Sequence, residues 1–529
     1  MTIKPPPGPP LGTGEPRFRI RPTALPPGDL LADSDTCFLD GRPVQDWRAV
    51  LAANRLAAVE GAFALAWRDG DTIHLARDGV GERTLFYAAL PDRLVFASAI
   101  ADLLPYVARK LNLPAVAAYL SYAYLPGRET LVEGIYEVLP GEHVTWYDGY
   151  LFRTPHWELP AEAPSATDEA GLAADLRRRL ETAVRRRLPA DRPIGATLSG
   201  GIDSSLVVAL AKRLHAGPLL TYSVSFGADY PNELAFSSLV AELCGTEHHI
   251  VELSPPTVLH YLDDSVGLLS DPIGDPLTVP NALLFREAAR QVGVVLNGEG
   301  GDPAFGGPKN LPMLLAELQP ALSGNTSREA NYLRAHLKCY DDLPEMLTDE
   351  VRSALAAAPL EAALEPQLND PRWPDFVSRL QAVNIRLKGG HHILPKVDAL
   401  SAPFGVLPRA PLFDRSVVEF SLTVPARLKL HGSTEKYLLK RAVADVLPAS
   451  IVDRPKSGML VPVEGWFRGP LLPAARERVL DGLAPYGLLR RDYLERLLAG
   501  KLGGLRPRHG AKVWLLVTLE AWLRRVFEG

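Results

Sequence analysis

Apolar positions fall into two rhythms along the chain. Over residues 17–157 they come as short runs broken by Asp-Gly, Gly-Glu and Pro-Asp turns, which predicts antiparallel hairpins with strands over 72–76, 85–89 and 94–97. Helical spacing interrupts them only at 99–104 and 114–124. Past residue 170 the rhythm changes. Helical periods at 171–187, 205–215 and 232–244 alternate with short apolar runs at 194–198 and 221–226, as a parallel sheet covered by helices requires. After residue 307 the pattern is almost wholly helical, and no internal repeat is present. A Pro, Ala, Glu and Ser-rich stretch from 157 to 169 reads as a linker, and the proline-rich residues 1–16 read as a disordered leader. The expected division is therefore a leader over 1–16, a largely β domain over 17–160 and an α/β domain with a helical extension over 170–529.

Composition narrows the function classes. With 529 residues the chain is too long for one core, and 47% hydrophobic with 22% charged residues is an ordinary globular makeup. A net charge of −5 with both signs interspersed offers no basic stripe for nucleic acid and no polybasic flank for a membrane. The apolar segment 513–523 contains Glu520 and runs into Arg524-Arg525, so it reads as a packing helix. Cys37, Cys244 and Cys339 are widely spaced and odd in number, which fits a reducing, cytoplasmic setting, and none sits in a CxxC pair. Adjacent histidines at 248–249 and 391–392 point to different faces of any helix or strand, against a catalytic transition metal.

The chemistry starts at Leu198-Ser199-Gly200-Gly201-Ile202-Asp203-Ser204-Ser205. A glycine-rich turn between a strand and a helix turns backbone N–H groups and the positive helix end into one concavity suited to an anion. Serine hydroxyls add donors, and Asp203 adds a carboxylate that can hold a metal beside phosphate. The Lys-Ser/Thr ending of a Walker loop is missing, which disfavours an ordinary kinase or ATPase. Two further segments follow: Asn297-Gly298-Glu299-Gly300-Gly301-Asp302 with Phe305-Gly306-Gly307 after a short apolar run at 292–296, and Arg454-Pro455-Lys456-Ser457-Gly458 after a helical signature over 435–447.

In that order, these three motifs resemble the synthetase domain of the asparagine synthetase family, which also includes β-lactam synthetases and lasso-peptide cyclases. The resemblance implies a C-terminal PP-loop ATP pyrophosphatase α/β domain. Glu60-Gly61, Arg77-Asp78, Leu85-Phe86-Tyr87 and Leu139-Pro140-Gly141 look like the later part of the family's N-terminal glutaminase, an Ntn-hydrolase-like β-sandwich. The glutaminase's own residues do not match. Such an enzyme needs a cysteine whose α-amine is the base for its thiol; residue 2 is Thr, Cys37 is internal, the Arg-Gly-Pro-Asp segment has no counterpart, and Asp40-Gly41-Arg42 stands where Asn-Gly-Glu is expected. The first domain is thus expected to be a degenerate scaffold.

The reaction implied by the resemblance has two steps. A carboxylate attacks the α-phosphorus of ATP and releases pyrophosphate, and ammonia or an amine then expels AMP. Ser199, Gly200, Gly201, Ser204 and Ser205 would cradle pyrophosphate; Asp203 and Asp302 would hold Mg²⁺; Leu198, Val224, Asn297 and Gly298 would border the adenine; Lys456 would offset charge developing at the α-phosphate. Glu299 would accept the amine's proton, where β-lactam synthetases place a tyrosine. Residues 393–398 and Arg409–Asp414 look like the family's substrate-side helix and loop, with Pro408 in place of the usual Glu, which argues against a plain aspartate pocket. Several readings stay open at this point. The carboxylate is a small molecule or a peptide, and the product is asparagine, a lactam or a cyclised peptide. A macrolactam cyclase or β-lactam synthetase-like enzyme is one alternative, and a non-catalytic scaffold is another. A tRNA-modifying or sulfur-activating ATPase would need a basic face or catalytic cysteines. No nucleic acid or membrane partner is expected, while a homodimer and a pathway-protein partner both remain open.

Overall fold

A computed structural model describes residues 1–5, 11, 19–22, 25–161, 168–307, 313–314, 317, 327–454, 460–502 and 508–529. The alternating elements beyond residue 168 build a six-stranded, all-parallel sheet. Its strand order is Thr2–Ile3, Glu247–Glu252, Leu219–Ser225, Ile194–Thr197, Val294–Leu296 and Leu407–Arg409. Leu219–Ser225, inside the sheet, is buried along its whole length because both faces are covered. Ile194, Ala196 and Leu219 enter a core with helices Glu169–Arg187 and Ile202–Leu214, while Leu220, Tyr222 and Val295 enter another with helix Thr278–Ala288. From Ile194–Thr197 the chain first adds strands on one side, then returns to place Val294–Leu296 on the other. The carboxyl ends of those two strands therefore flank a topological switch point, where open α/β sheets bind ligands.

Four expectations change. Residues 2–3, read as part of a disordered leader, form a short strand instead, Thr2 opposite Ile250 and Ile3 opposite Val251. The open edge of Glu247–Glu252 supplies backbone partners that composition could not reveal. Leu407–Arg409 is a strand in a region read as helical, with Pro408 opposite Val295 on the sheet's edge strand, where proline is tolerated. Helix Ile202–Leu214 starts three residues early, which makes Ile202, Asp203 and Ser204 helical. The helix read over 435–447 begins at Tyr437, after a hairpin of Leu430–His431 with Thr434–Glu435. Helix His509–Trp522 packs inside the protein, and among the described residues no helix is long and apolar enough to cross a membrane.

The preceding β structure is a sandwich. One antiparallel sheet runs Tyr150–Pro155, Glu142–Tyr147, Thr72–Arg77, Val59–Asp69, Leu30–Leu39 and Arg42–Pro43; the other runs Leu94–Ala97, Phe86–Ala89 and Tyr136–Glu137. Leu75, Val144 and Trp146 meet Tyr87, Phe96 and Leu94 between them. A register shift between Asp35 and Phe38 bulges the Leu30–Leu39 strand. There Thr36 takes φ 50°, and Gly61 opposite has φ 116° with no room for a Cβ, which would lie 2.3 Å from the Thr36 carbonyl oxygen.

That bulge turns Asp35 toward the other domain, where it accepts two hydrogen bonds of 2.8 Å from Arg409. Three more buried arginines tie the domains together. Arg83 bridges Asp33 (3.2 Å) and Asp398 (3.1 Å); Arg187 reaches Asp414 (2.6 Å) and Glu82 (3.4 Å); Arg77 donates to the Gly390 carbonyl at 2.9 Å and pairs with Glu137, which also binds His391 at 2.8 Å.

Candidate active site at the carboxyl ends of the parallel strands

A cavity of about 420 Å³ opens at the switch point. Leu198 and Ser199 enter from one strand, Val224 from its neighbour, and Asn297, Gly298 and Glu299 from the strand across the crevice. The Ser199–Ser204 loop is held by its own side chains. Ser199 N–H donates to Ser204 Oγ at 3.1 Å, the two hydroxyls lie 3.0 Å apart, and Gly201 N–H donates to Ser199 Oγ at 3.4 Å. Ser205 N–H is already bonded to the Gly201 carbonyl at 3.1 Å, so the first-turn N–H groups before it have no acceptor within the helix and suit an anion.

Glycine is required where the segments touch. A Cβ on Gly298 would stand 2.5 Å from Ser204 N, and one on Gly301 would stand 2.2 Å from the Asp203 carboxylate. Gly200, at φ 80°, packs its backbone against Phe236 and Ser237.

Not all expected residues meet the cavity. Leu198, Ser199, Gly201, Asp203, Ser204, Val224, Asn297, Gly298, Glu299 and Asp302 line it, whereas Gly200 faces helix Leu234–Cys244 and Ser205 is fully buried behind the loop. Lys456 lies outside the described residues. Arg454, two residues before it, donates to the Gly200 carbonyl at 3.1 Å, pairs with Glu233 and stacks 3.9 Å over the Phe236 ring. Arg454 is thus anchored at the phosphate loop. Arg409, on the expected substrate side, is turned to Asp35 instead.

Sequence reasoning missed Lys436. Its ammonium lies 2.8 and 2.6 Å from the two Asp203 oxygens and 2.5 Å from Asp302 Oδ1. The residue is buried and held at φ 56°, in the left-handed region, between the small hairpin and helix Tyr437–Val443. The signal in the sequence was the Gly432-Ser433 turn, which ends one element and starts another, so that Lys436 precedes the helix rather than lying in it. The two acids expected to share a metal thus converge on one cation position, a donor set that also suits a hard divalent ion among phosphates.

The far end of the cavity was also missed. Asp275 lies 2.5 Å from Lys396 Nζ and 3.4 Å from His392 Nε2. Burial opposes ionisation of Asp275, but the Lys396 ammonium and His392 outweigh it and hold the carboxyl well below its usual range. Burial also pushes His392 down to about 4, and its ring stacks on Tyr124. Lys388, His392 and Lys396 recur every four residues along a π-helical segment, Asn384–Ile393, and the helix Leu394–Ser401 that follows, and all three face the cavity.

Residues 175–524 match the family model described as asparagine synthase. The chain belongs to the asparagine synthase family. Residues 48–157 match the glutamine amidotransferase domain. Asparagine synthetase [glutamine-hydrolyzing] 1 of Bacillus subtilis (strain 168) is 26% identical over 508 residues, covering 89% of this chain and 78% of its own length. Amidase chry2 of Gibberella zeae is 24% identical over 481 residues, covering 78% and 71%. Among solved structures, an NH3-dependent NAD synthetase from Campylobacter jejuni subsp. jejuni overlaps 37% of this chain and 97% of its own at 14% identity, with a TM-score of 0.20, too low to carry an argument. Family membership makes the chain an ATP-dependent carbon–nitrogen ligase, with an amidotransferase-type domain ahead of an ATP pyrophosphatase-type domain.

Proposed function

We propose that this enzyme adenylates a carboxylic acid with ATP and passes the acyl group to ammonia or another amine, without a working glutaminase of its own. The observation that carries the reading is the convergence of Asp203, Asp302 and Lys436 at the mouth of the Ser199–Ser204 loop, in the same cavity as Glu299. Attack on the α-phosphorus needs in-line placement and neutralised charge more than acid–base work. The loop N–H groups and serine hydroxyls bind pyrophosphate, and Lys436 and Lys456 offset charge that builds as it departs. Mg²⁺ held by Asp203 and Asp302 would supply further neutralisation on the phosphate oxygens. Glu299, beside Lys396, takes the proton lost by the incoming amine when it attacks the acyl carbon.

The surroundings of Cys37 in the amidotransferase-type domain support the reading that it has no glutaminase activity. Cys37 Sγ is buried and lies 3.2 Å from the Ala62 carbonyl oxygen; burial pushes the thiol well up, and Asp78 adds to the shift. The commitment of Arg409 to Asp35 supports an acid other than aspartate. All three cysteines are unpaired, in keeping with a cytoplasmic enzyme.

ATP–pyrophosphate exchange across a panel of acids tests the reading. Exchange is expected with at least one acid and falls at least about a hundredfold in Lys456→Ala, while glutamine yields no glutamate above background. Exchange with no acid, or steady glutamine hydrolysis, would overturn it.

A further inference from the structure

The larger sheet of the β-sandwich ends on an open edge strand, Tyr150–Pro155. The turn before it, Asp148-Gly149, has both residues at positive φ (48° and 79°), the geometry of a two-residue hairpin in which Tyr147 and Tyr150 exchange both backbone hydrogen bonds. Bonded pairs alternate from there, so Phe152 and Thr154 also bond inward, to Thr145 and His143. Leu151 and Arg153 turn their N–H and C=O groups outward, and among the described residues these groups have no backbone partner. The side chains beside them are aromatic. Tyr150 and Phe152 are 67% and 59% exposed, and Tyr147 on the next strand is 51% exposed. Phe152 stands in one row with Thr145, His74 and Trp67 across the sheet. Arg153, the strand's one charged residue, lies on the opposite face and donates from Nε to the Tyr87 hydroxyl at 2.9 Å. An edge that offers outward backbone groups beside exposed aromatics is a template for another strand.

We propose that this edge pairs with its own copy, antiparallel across a two-fold axis at Phe152, so that two chains share one continuous sheet. The backbone fixes the register. Leu151 of each copy faces Arg153 of the other, and each such pair exchanges both of its hydrogen bonds. Phe152 meets Phe152 of the second copy in a non-hydrogen-bonded pair, flanked on each side by Tyr150 against Thr154. Pro155, which has no N–H to give, falls opposite the turn at Gly149. An axis at Arg153 would set two arginines directly opposite each other, and an axis at Leu151 would run half of each strand past the other copy's turn. A shift by one residue would bring outward backbone groups against inward ones. Charge and area both suit a copy as the occupant. Arg153 faces an apolar residue, and covering the aromatics and the edge backbone on both chains removes on the order of 1,000 Å², the least that a specific interface needs. The strand lies outside the cavity at the switch point, so the pairing does not depend on the ligase chemistry.

Sedimentation of the full chain over a wide concentration range tests the pairing. A monomer–dimer equilibrium with a Kd of about 10 μM or below is expected. Phe152→Lys sets two ammonium groups opposite each other and is expected to weaken the dimer at least about a hundredfold, with an unchanged far-ultraviolet circular dichroism spectrum as the folding control. A second variant reads the register itself. The Cα atoms of a non-hydrogen-bonded pair lie about 4.5 Å apart, within disulfide reach, so Phe152→Cys is expected to give a covalent dimer on mild oxidation while Tyr150→Cys gives none. The three native cysteines are buried, which keeps the wild type as the uncrosslinked control. A chain that stays monomeric throughout would overturn the pairing and leave the edge to a strand of another protein. A dimer indifferent to Phe152→Lys, or one linked through Tyr150→Cys rather than Phe152→Cys, would overturn it as well.

Discussion

Lys436→Met is expected to lower ATP–pyrophosphate exchange by about a thousandfold with the fold retained. The ammonium is within 2.5–2.8 Å of three oxygens on two carboxylates, buried, at the point where the glycine-rich loop, the Asn297–Asp302 turn and the small hairpin meet. Removing it leaves two acids facing each other in a place of low dielectric. The pair then responds by keeping a proton, which weakens its hold on any cation and leaves the phosphate charge uncompensated. Arginine cannot substitute, because its planar fork needs more room than a buried point charge. The readout is initial-rate exchange across a magnesium titration, with the thermal midpoint as the control for folding. A loss below tenfold would remove Lys436 from the phosphate site.

Arg83→Met is expected to cost about 3–5 kcal/mol of stability. Its guanidinium is almost completely enclosed and joins Asp33 of the β-sandwich to Asp398 of the helix that also carries Lys396. The variant takes that guanidinium away from both buried carboxylates. Removing the whole cluster is different: Arg83→Met with Asp33→Leu and Asp398→Leu exchanges charges for apolar packing and recovers most of the loss. Chemical denaturation of wild type, single and triple variants separates the two cases, and a triple variant no more stable than the single would refute the account. The acid limb follows the same logic. Burial opposes ionisation of Asp35 and Asp414, but Arg409 and Arg187 outweigh it and hold both below their usual pKa. Their contribution is complete above the unfolded carboxyl pKa of about 4 and is lost as pH falls through the lowered folded values.

The sequence carried the chemistry better than the boundaries. Asp203, Asp302, Glu299 and the glycines around them could be picked out because phosphate binding demands small residues and carboxylates at short, local spacing, and the cavity gathers these. Lys436 has no such local pattern; what matters about it is a left-handed turn 233 residues from Asp203. Leu407–Arg409 was invisible because three residues give no period and one is proline. Thr2–Ile3 was invisible because its partner is an open sheet edge rather than its own composition. The arginine network was hidden for a related reason. Asp35 has no local pattern that marks it for burial, and Asp398 and Asp414, on the substrate side by resemblance, are turned to Arg83 and Arg187 by the packing of the two domains.

The most direct test of carboxylate adenylation follows one oxygen atom. With an acid that supports exchange, labelled with ¹⁸O in its carboxylate, and with ammonia as nucleophile, the AMP released is expected to carry one ¹⁸O atom, seen by mass spectrometry or ³¹P resonance. The label moves because the carboxylate oxygen that attacks the α-phosphorus stays on it when the amine takes the acyl group. Label appearing in inorganic phosphate alongside ADP, or AMP formed without label, would contradict the mechanism.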